Sequence, residues 1–267
     1  MSRSNFRLQL DRKTELPPGF QEVRWRSRAL QKRMAFALYL PPEYHAQGQK
    51  RYPVLYLLHG SGHDRRTVLS EVRPQEHVTR LGEAILVIPD GDQGWWLDSP
   101  MLPRSRYGQY LLELVEFLDR QYRTIASRAA RGICGFSMGG YGAMLLAGQH
   151  PEVFGAASSL LGPLHIVQMF PDYYRLRLLL GPDQATWQRF NPGHWAENLA
   201  RTALQFCTAE EAAERRQNEA LAAVLESLHI PFQYNVYPGG HDTTFVREHI
   251  GAHFAFHRRT FDQGIRA

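Results

Sequence analysis

The pentapeptide Gly135-Phe136-Ser137-Met138-Gly139 constrains the fold of this chain more than any other segment. It follows a short apolar run, residues 132–134, and precedes a stretch of small and apolar residues, 140–147. In a G-x-S-x-G turn between a strand and a helix, the serine adopts a strained conformation that pushes its hydroxyl out of the sheet. Glycines flank it because a side chain there would clash with the neighbouring strand or helix. The pattern therefore predicts a nucleophilic serine at position 137.

Apolar runs alternate with helical patterns along the rest of the chain. Residues 54–58 and 84–88 are continuously apolar, which is typical of strands buried on both faces of a parallel sheet. Further strands are predicted at 156–161, 203–207 and 232–237, and helices at 110–122, 209–228 and 245–256. The alternating pattern of residues 23–40 predicts an antiparallel hairpin with a turn near Gln31-Lys32. We predict an α/β fold with a mostly parallel central sheet, helices on both faces and antiparallel N-terminal strands.

Length and composition favour one domain. With 267 residues, 43% of them hydrophobic, the chain can bury the core of a single α/β domain over residues 21–267. Residues 1–20 are polar, end in Pro17-Pro18-Gly19 and are predicted to form a loosely attached arm. The net charge is +5, but no recognition motif accompanies the scattered arginines, so we expect no nucleic-acid partner.

Cysteine content and hydropathy favour a soluble protein of a reducing compartment. Cys134 and Cys207 each lie in an apolar run, as expected of reduced core thiols. No segment approaches the roughly 20 apolar residues of a membrane helix, and the first twenty residues hold no apolar stretch of signal-peptide length. We therefore expect a cytoplasmic protein with no membrane partner.

A serine nucleophile needs a base, and His241 is the best candidate among 12 histidines. It follows the last predicted strand in a Pro-Gly-Gly loop, where an imidazole could reach over the carboxyl edge of the sheet. His229 and the histidines between 249 and 257 lie on predicted helices and are interpreted as surface or packing residues.

The acid that would orient His241 should follow the strand that ends at Cys207, because serine, acid and histidine occur in that order in α/β-hydrolases. Glu210, Glu211 and Glu214 lie there. Glu211 is the first choice and Glu210 the second. The alternative is that all three are simply the acidic first turn of the following helix, where they favour its dipole.

Two backbone amides should stabilise the oxyanion that forms during acyl transfer. Met138 follows the nucleophile directly, and Ser61 lies in the loop after strand 54–58. Trp95 and Trp96 follow another strand end, where they either line the substrate pocket or pack a loop onto the sheet. No metal-binding or nucleotide-binding pattern occurs, so no cofactor is expected.

These segments together resemble the esterase D-like branch of the α/β-hydrolases. The resemblance covers about residues 21–257. It is carried by Tyr52-Pro53-Val54-Leu55-Tyr56-Leu57-Leu58-His59-Gly60-Ser61-Gly62, by Gly135-Phe136-Ser137-Met138-Gly139-Gly140-Tyr141-Gly142-Ala143, by His150-Pro151-Glu152-Val153-Phe154 and by Tyr237-Pro238-Gly239-Gly240-His241-Asp242. It implies an α/β-hydrolase fold, with Ser137 as nucleophile, His241 as base, and Ser61 and Met138 as oxyanion donors.

One segment departs from the pattern of that branch. Where the branch usually shows Cys-Gly-x-x-Asp for the acid, this chain reads Cys207-Thr208-Ala209-Glu210-Glu211. Aligning on Cys207 places Glu211 at the acid position, but the glycine is missing. Mycolyltransferases of the same branch use a glutamate, so the resemblance is compatible with a glutamate as the acid.

The resemblance implies acyl-ester or thioester chemistry, since the branch includes S-formylglutathione hydrolases, carboxylesterases, feruloyl esterases and mycolyltransferases. We expect a serine carboxylesterase that acts on a small-molecule ester without a cofactor. The alternatives are an acyltransferase of the same mechanism and a catalytically silent binding protein. Family members are often dimers or larger, so a homo-oligomer is also expected.

Overall fold

The computed structural model describes residues 16–266, and the strands in this range form one eight-stranded sheet. The strands are β1 Phe20–Ser27, β2 Lys32–Tyr39, β3 Val54–Leu58, β4 Ile85–Pro89, β5 Arg131–Phe136, β6 Ala156–Leu160, β7 Ala203–Ala209 and β8 Gln233–Tyr237. The apolar runs of the sequence correspond to β3 to β6, which are buried along their whole length. The predicted hairpin turn lies between β1 and β2, where Gln31 adopts φ 54°.

The sheet is mixed, and its strands lie in the order β1-β2-β4-β3-β5-β6-β7-β8. β1 pairs with β2 antiparallel, and β2 pairs with β4 antiparallel. All other neighbours are parallel, from β4 through β3 and β5 to β8. The predicted fold class, a mostly parallel sheet with antiparallel N-terminal strands, is confirmed. The parallel part brings the carboxyl ends of β3 to β8 to one edge.

Helices cover both faces of the sheet. They are α1 Arg65–Thr67, α2 Val78–Leu81, α3 Tyr107–Gln121, α4 Met138–Gln149, α5 Tyr174–Leu180, α6 Gln184–Arg189, α7 Ala196–Leu199, α8 Arg215–Ser227 and α9 Thr243–Arg266. Alternate residues of β3 point into separate apolar clusters. Tyr56 packs in the cluster that contains α3, α4 and α8, and Leu57 packs in the cluster that contains α9. Among the described residues, no helix is long and apolar enough to cross a membrane.

Only the last residues of the predicted N-terminal arm, 16–20, lie in the described structure. Residues 1–15 of the predicted arm lie outside the described residues. Leu16 packs against the apolar cluster that contains α9, and the amide of Phe20 donates to the Pro17 carbonyl oxygen at 3.0 Å. β1 begins at Phe20, so the last residues of the predicted arm lead directly into the sheet.

Two buried histidines join α9 to the sheet. His257 Nε2 lies 2.9 Å from Ser158 Oγ on β6, and His253 Nε2 lies 3.3 Å from Cys207 Sγ on β7. A β-carbon at Gly132 would lie 2.4 Å from His257 Nδ1, so the absence of a side chain there makes room for the ring. Burial lowers the pKa of each histidine to about 3. Both rings are therefore neutral in the folded protein near neutral pH.

These histidines should make the fold acid-sensitive. Their folded-state pKa lies below the unfolded value of about 6.5, so protons bind preferentially to the unfolded chain below that pH. The free energy of unfolding should be independent of these groups above pH 6.5 and fall as the pH drops toward 3. At pH 5 the loss is on the order of 2 kcal/mol for each histidine. Urea unfolding at pH 7 and pH 5 measures this difference.

The variant His257→Gln should lose about half of the pH dependence that His253 and His257 contribute together, whatever its effect on stability at pH 7. His229→Gln is the matched control, because His229 is an exposed residue. The other histidines contribute equally to both variants and cancel in the comparison. An unchanged pH dependence in His257→Gln would contradict the assignment of the acid-sensitive group.

Candidate active site

Ser137 lies in the sharp turn between β5 and α4, as the pentapeptide predicts. Its backbone adopts φ 52° and ψ −123°, a conformation that L-residues rarely adopt. The turn is tight because a β-carbon at Gly139 would lie 2.1 Å from the Leu58 carbonyl oxygen, and one at Gly135 would lie 2.3 Å from the Gly139 carbonyl oxygen. The amide of Ser137 donates to the Leu160 carbonyl oxygen at 2.9 Å, which anchors the turn to β6.

His241 reaches Ser137 from the loop after β8. Its Nε2 lies 3.0 Å from Ser137 Oγ. The loop turns at Gly239, where φ is 125°, and ends at Asp242, whose carboxylate accepts from the Phe245 amide at the start of α9. The end of β8 and the start of α9 thus fix the histidine from both sides.

Glu214 orients the imidazole from the opposite side. Its Oε1 lies 2.8 Å from His241 Nδ1. The Glu214 side chain is only 8% exposed, whereas that of His241 is 43% exposed. The hydrogen bond that Glu214 accepts from His241 raises the pKa of His241 above its ordinary value. Ser137, His241 and Glu214 therefore form one continuous hydrogen-bonded chain.

Two backbone amides lie beside the serine without a protein acceptor among residues 16–266. One is the amide of Met138, the first residue of α4, and the other is the amide of Ser61. Gly60 lets the Ser61 loop lie close to Ser137, because a β-carbon at Gly60 would lie 3.2 Å from Ser137 Cβ. These are the two amides that the sequence predicts as oxyanion donors.

A small cavity of about 160 Å³ opens at this site. Its lining includes the apolar side chains of Phe136, Leu161 and Val246, next to Ser137 and His241. The volume lies below the 300–1,000 Å³ that is usual for small-molecule pockets. The cavity therefore has room for a compact group at the serine.

The family model with the description "Putative esterase" matches residues 27–256. The chain belongs to this esterase family. It is 26% identical to the S-formylglutathione hydrolase of Paracoccus denitrificans over 268 residues, which covers 90% of this chain and 93% of that protein. Among solved structures, a fluorophosphonate-binding serine hydrolase of Staphylococcus aureus, FphF, superposes with a TM-score of 0.80 at 17% identity and covers 90% of this chain and 98% of that one. The fold is that of the α/β-hydrolases.

The esterase Rv1288 of Mycobacterium tuberculosis is a longer relative of this esterase-family chain. It is 30% identical over 169 residues, which covers 62% of this chain. The match spans 37% of that protein, so the two share only part of the longer chain.

The prediction of Glu211 as the acid is wrong, and so is that of Glu210. Both are exposed, and neither side chain contacts His241 in the structure. Their backbone amides instead bind the histidine loop: that of Glu210 donates to the Tyr237 carbonyl oxygen at 2.9 Å and that of Glu211 to the Gly239 carbonyl oxygen at 3.1 Å. Helix α8 begins at Arg215, not at residue 209 as predicted, so the chain makes an additional turn that brings Glu214 to the imidazole.

The prediction that Trp95 and Trp96 line the substrate pocket is also wrong for the cavity at Ser137. Trp96 is fully buried and Trp95 is 2% exposed. Trp96 fills the space over Gly91 and Gly142, where a β-carbon would lie 2.3 and 2.4 Å from its side chain. The alternative interpretation, two aromatic residues that pack a loop onto the sheet, is the correct one.

His59, in the segment that carries the family resemblance, has a structural role that the sequence did not predict. It is buried, which lowers its pKa to about 4. The neutral ring donates from Nδ1 to the Gly60 carbonyl oxygen at 2.8 Å, and its Nε2 accepts from the Gly91 amide, also at 2.8 Å. His59 therefore ties the Ser61 loop to the neighbouring strand end. In the described part of the chain, no group of three or more histidine, cysteine or carboxylate side chains is placed to hold a metal.

Proposed function

We propose that this esterase-family chain is a serine esterase that hydrolyses a carboxylic ester or thioester through an acyl-enzyme on Ser137. The observation that carries the proposal is the hydrogen-bonded chain from Glu214 Oε1 to His241 Nδ1 at 2.8 Å and from His241 Nε2 to Ser137 Oγ at 3.0 Å. This arrangement supplies a nucleophile, a base and a carboxylate that orients the base.

The first half of the reaction acylates the serine. His241 Nε2 removes the proton of the Ser137 hydroxyl as its oxygen attacks the carbonyl carbon. The negative charge that forms on the carbonyl oxygen is stabilised by the amides of Ser61 and Met138, and Glu214 stabilises the imidazolium. His241 then protonates the leaving alcohol or thiol, and the acyl group stays on Ser137.

The second half releases the acid. Water gives a proton to His241 and attacks the acyl carbonyl, and the same two amides stabilise the second oxyanion. His241 returns the proton to Ser137 as the acyl bond breaks. The raised pKa of His241 makes the imidazolium easier to form in both halves, and it requires a pH above that pKa for the base to be free.

The cavity size supports a short acyl group. A volume of about 160 Å³ with the apolar lining of Phe136, Leu161 and Val246 favours a compact acyl chain over a long one. This substrate preference is part of the proposal.

A series of p-nitrophenyl esters from acetate to dodecanoate tests the proposed function. We expect the highest kcat/KM for acetate to butanoate and a fall of at least about tenfold for long chains, because each extra methylene must find space outside the cavity. A fluorophosphonate probe should label the protein once, at Ser137. Absence of both turnover and labelling would overturn the proposal and favour a silent binding protein, and ester products in the presence of added alcohol would favour an acyltransferase.

A further inference from the structure

A second and larger cavity lies next to the cavity at Ser137. Its volume is about 370 Å³, and it is largely open to solvent. The segment 92–107 and helix α5 form its walls. One hydrogen bond, from Ser61 Oγ to Gln93 Oε1 at 2.5 Å, joins the linings of the two cavities. Ser61 lines the cavity at Ser137, and Gln93 lines the larger one.

The larger cavity has an excess of positive charge. Arg104 and Arg175 line it, and among residues 16–266 neither forms an ion pair with a carboxylate. The carboxylate in the lining, that of Asp92, already contacts Lys32 Nζ and accepts from the hydroxyl of Tyr107. Asp92 is therefore engaged by other groups, and the two guanidinium groups are available to a ligand.

Apolar side chains lie beside these arginines. Leu102 is 38% exposed and Leu178 is 40% exposed, and both line the cavity with Leu179. Exposed leucines next to unpaired arginines suit a ligand with an apolar body and an anionic end. The planar guanidinium matches a carboxylate or a phosphate group, with two parallel hydrogen bonds.

We propose that this second cavity binds the leaving group of the substrate, an alcohol or thiol with an apolar body and a carboxylate or phosphate, through Arg104 and Arg175. The inference rests on the proposed function, because the cavity at Ser137 is large enough only for a compact acyl group. The leaving group then extends past Ser61 and Gln93. The anionic end of the leaving group sets the substrate preference. The arginines bind this end before and during acylation.

Matched acetate esters test the leaving-group site. The substrates are 4-acetoxybenzoate, 4-acetoxyphenyl phosphate and the neutral methyl 4-acetoxybenzoate, which share one acyl group and one ring. The variant with both Arg104→Met and Arg175→Met should lose at least about tenfold in kcat/KM for the preferred anionic ester, since two charge-assisted contacts are removed. Its kcat/KM for the neutral ester should stay within about twofold. The relative activities on the two anionic esters distinguish a carboxylate site from a phosphate site.

Arg259→Met is the control for a general change of charge. Arg259 is exposed and lies near the amino ends of β7 and β8, at the other edge of the sheet from Ser137. Equal losses on neutral and anionic esters, or no loss on either, would overturn the proposal. An equal loss in Arg259→Met would assign the effect to net charge.

Binding of the released alcohols gives a readout that does not depend on turnover. Calorimetric titration of the wild-type protein with 4-hydroxybenzoate and with 4-hydroxyphenyl phosphate should show binding of at least one, weakened at least about fivefold in the double variant and by increasing salt. Binding without turnover would support the leaving-group site and refute the proposed esterase activity. Turnover of the neutral ester without arginine-dependent binding would refute the leaving-group site but not the esterase activity.

Discussion

Replacement of Ser137 by alanine is expected to lower kcat for p-nitrophenyl acetate on the order of a million-fold. The proposed mechanism forms its covalent intermediate on this oxygen, and Ser137 Oγ is the atom that His241 Nε2 contacts at 3.0 Å. The residual rate above that in water should come from the amides of Ser61 and Met138, which the substitution leaves in place. Steady-state hydrolysis measures the loss of turnover. Labelling by a fluorophosphonate measures the loss of the nucleophilic oxygen.

The variant should keep its fold. Alanine has the same β-carbon as serine, so the strained φ of 52° is neither relieved nor increased. The Ser137 amide can still donate to the Leu160 carbonyl oxygen. We expect the thermal unfolding midpoint to move by less than about 3 °C.

Ser227→Ala is the matched control, because the Ser227 hydroxyl is exposed and bonds only to the Val224 carbonyl oxygen in the described structure. It removes the same atom far along α8 from the site. Retained activity in Ser137→Ala at the wild-type level would show that another group is the nucleophile. Loss of activity in both variants would point to damage unrelated to the serine.

The sharp turn at Ser137 could be predicted from the sequence because it depends on local backbone geometry. Glycines at 135 and 139 are required by contacts under 2.5 Å, so a five-residue pattern reports the turn directly. The position of His241 follows from topology, since the carboxyl end of β8 lies on the same edge as the serine turn.

The contact of Glu214 with His241 could not be predicted because it depends on where a helix starts. Residues 209–228 have helical spacing, but tertiary contacts set the first turn of α8 at Arg215. The amides of Glu210 and Glu211 bind the Tyr237 and Gly239 carbonyl oxygens, and these bonds hold residues 210–213 out of the helix. The cavity with Arg104 and Arg175 was missed for a similar reason, since its walls come from segments some 70 residues apart.

Glu214→Gln should lower kcat/KM by about a hundredfold to ten-thousandfold, the second-largest effect that we expect. The amide lacks the charge that stabilises the imidazolium, and its NH₂ group can hold the ring in the wrong tautomer. Glu211→Gln should stay within about twofold of the wild type, because its side chain is exposed and its backbone bond to Gly239 is kept. Each variant replaces one carboxylate by an amide in the same segment of the chain, so the two differ only in the position of the change.

The pH profile separates the role of Glu214 in orienting the base from a general loss of structure. The Glu214 hydrogen bond raises the pKa of His241, and burial opposes it. In the wild type, kcat/KM should therefore rise with pH through a pKa above 6.5, as the imidazole loses its proton and becomes a base. In Glu214→Gln this acidic limb should move to lower pH, while the plateau falls.

The same hydrogen bond has a consequence for stability with the opposite pH dependence to that of His253 and His257. Because the folded-state pKa of His241 is raised, its contribution to the free energy of unfolding is fully present below pH 6.5 and is lost as the pH rises through the folded pKa. Glu214→Gln should remove this contribution and Glu211→Gln should not. A loss of activity in Glu211→Gln, together with normal activity in Glu214→Gln, would contradict this assignment. It would identify Glu211 as the acid, as the alignment on Cys207 indicates.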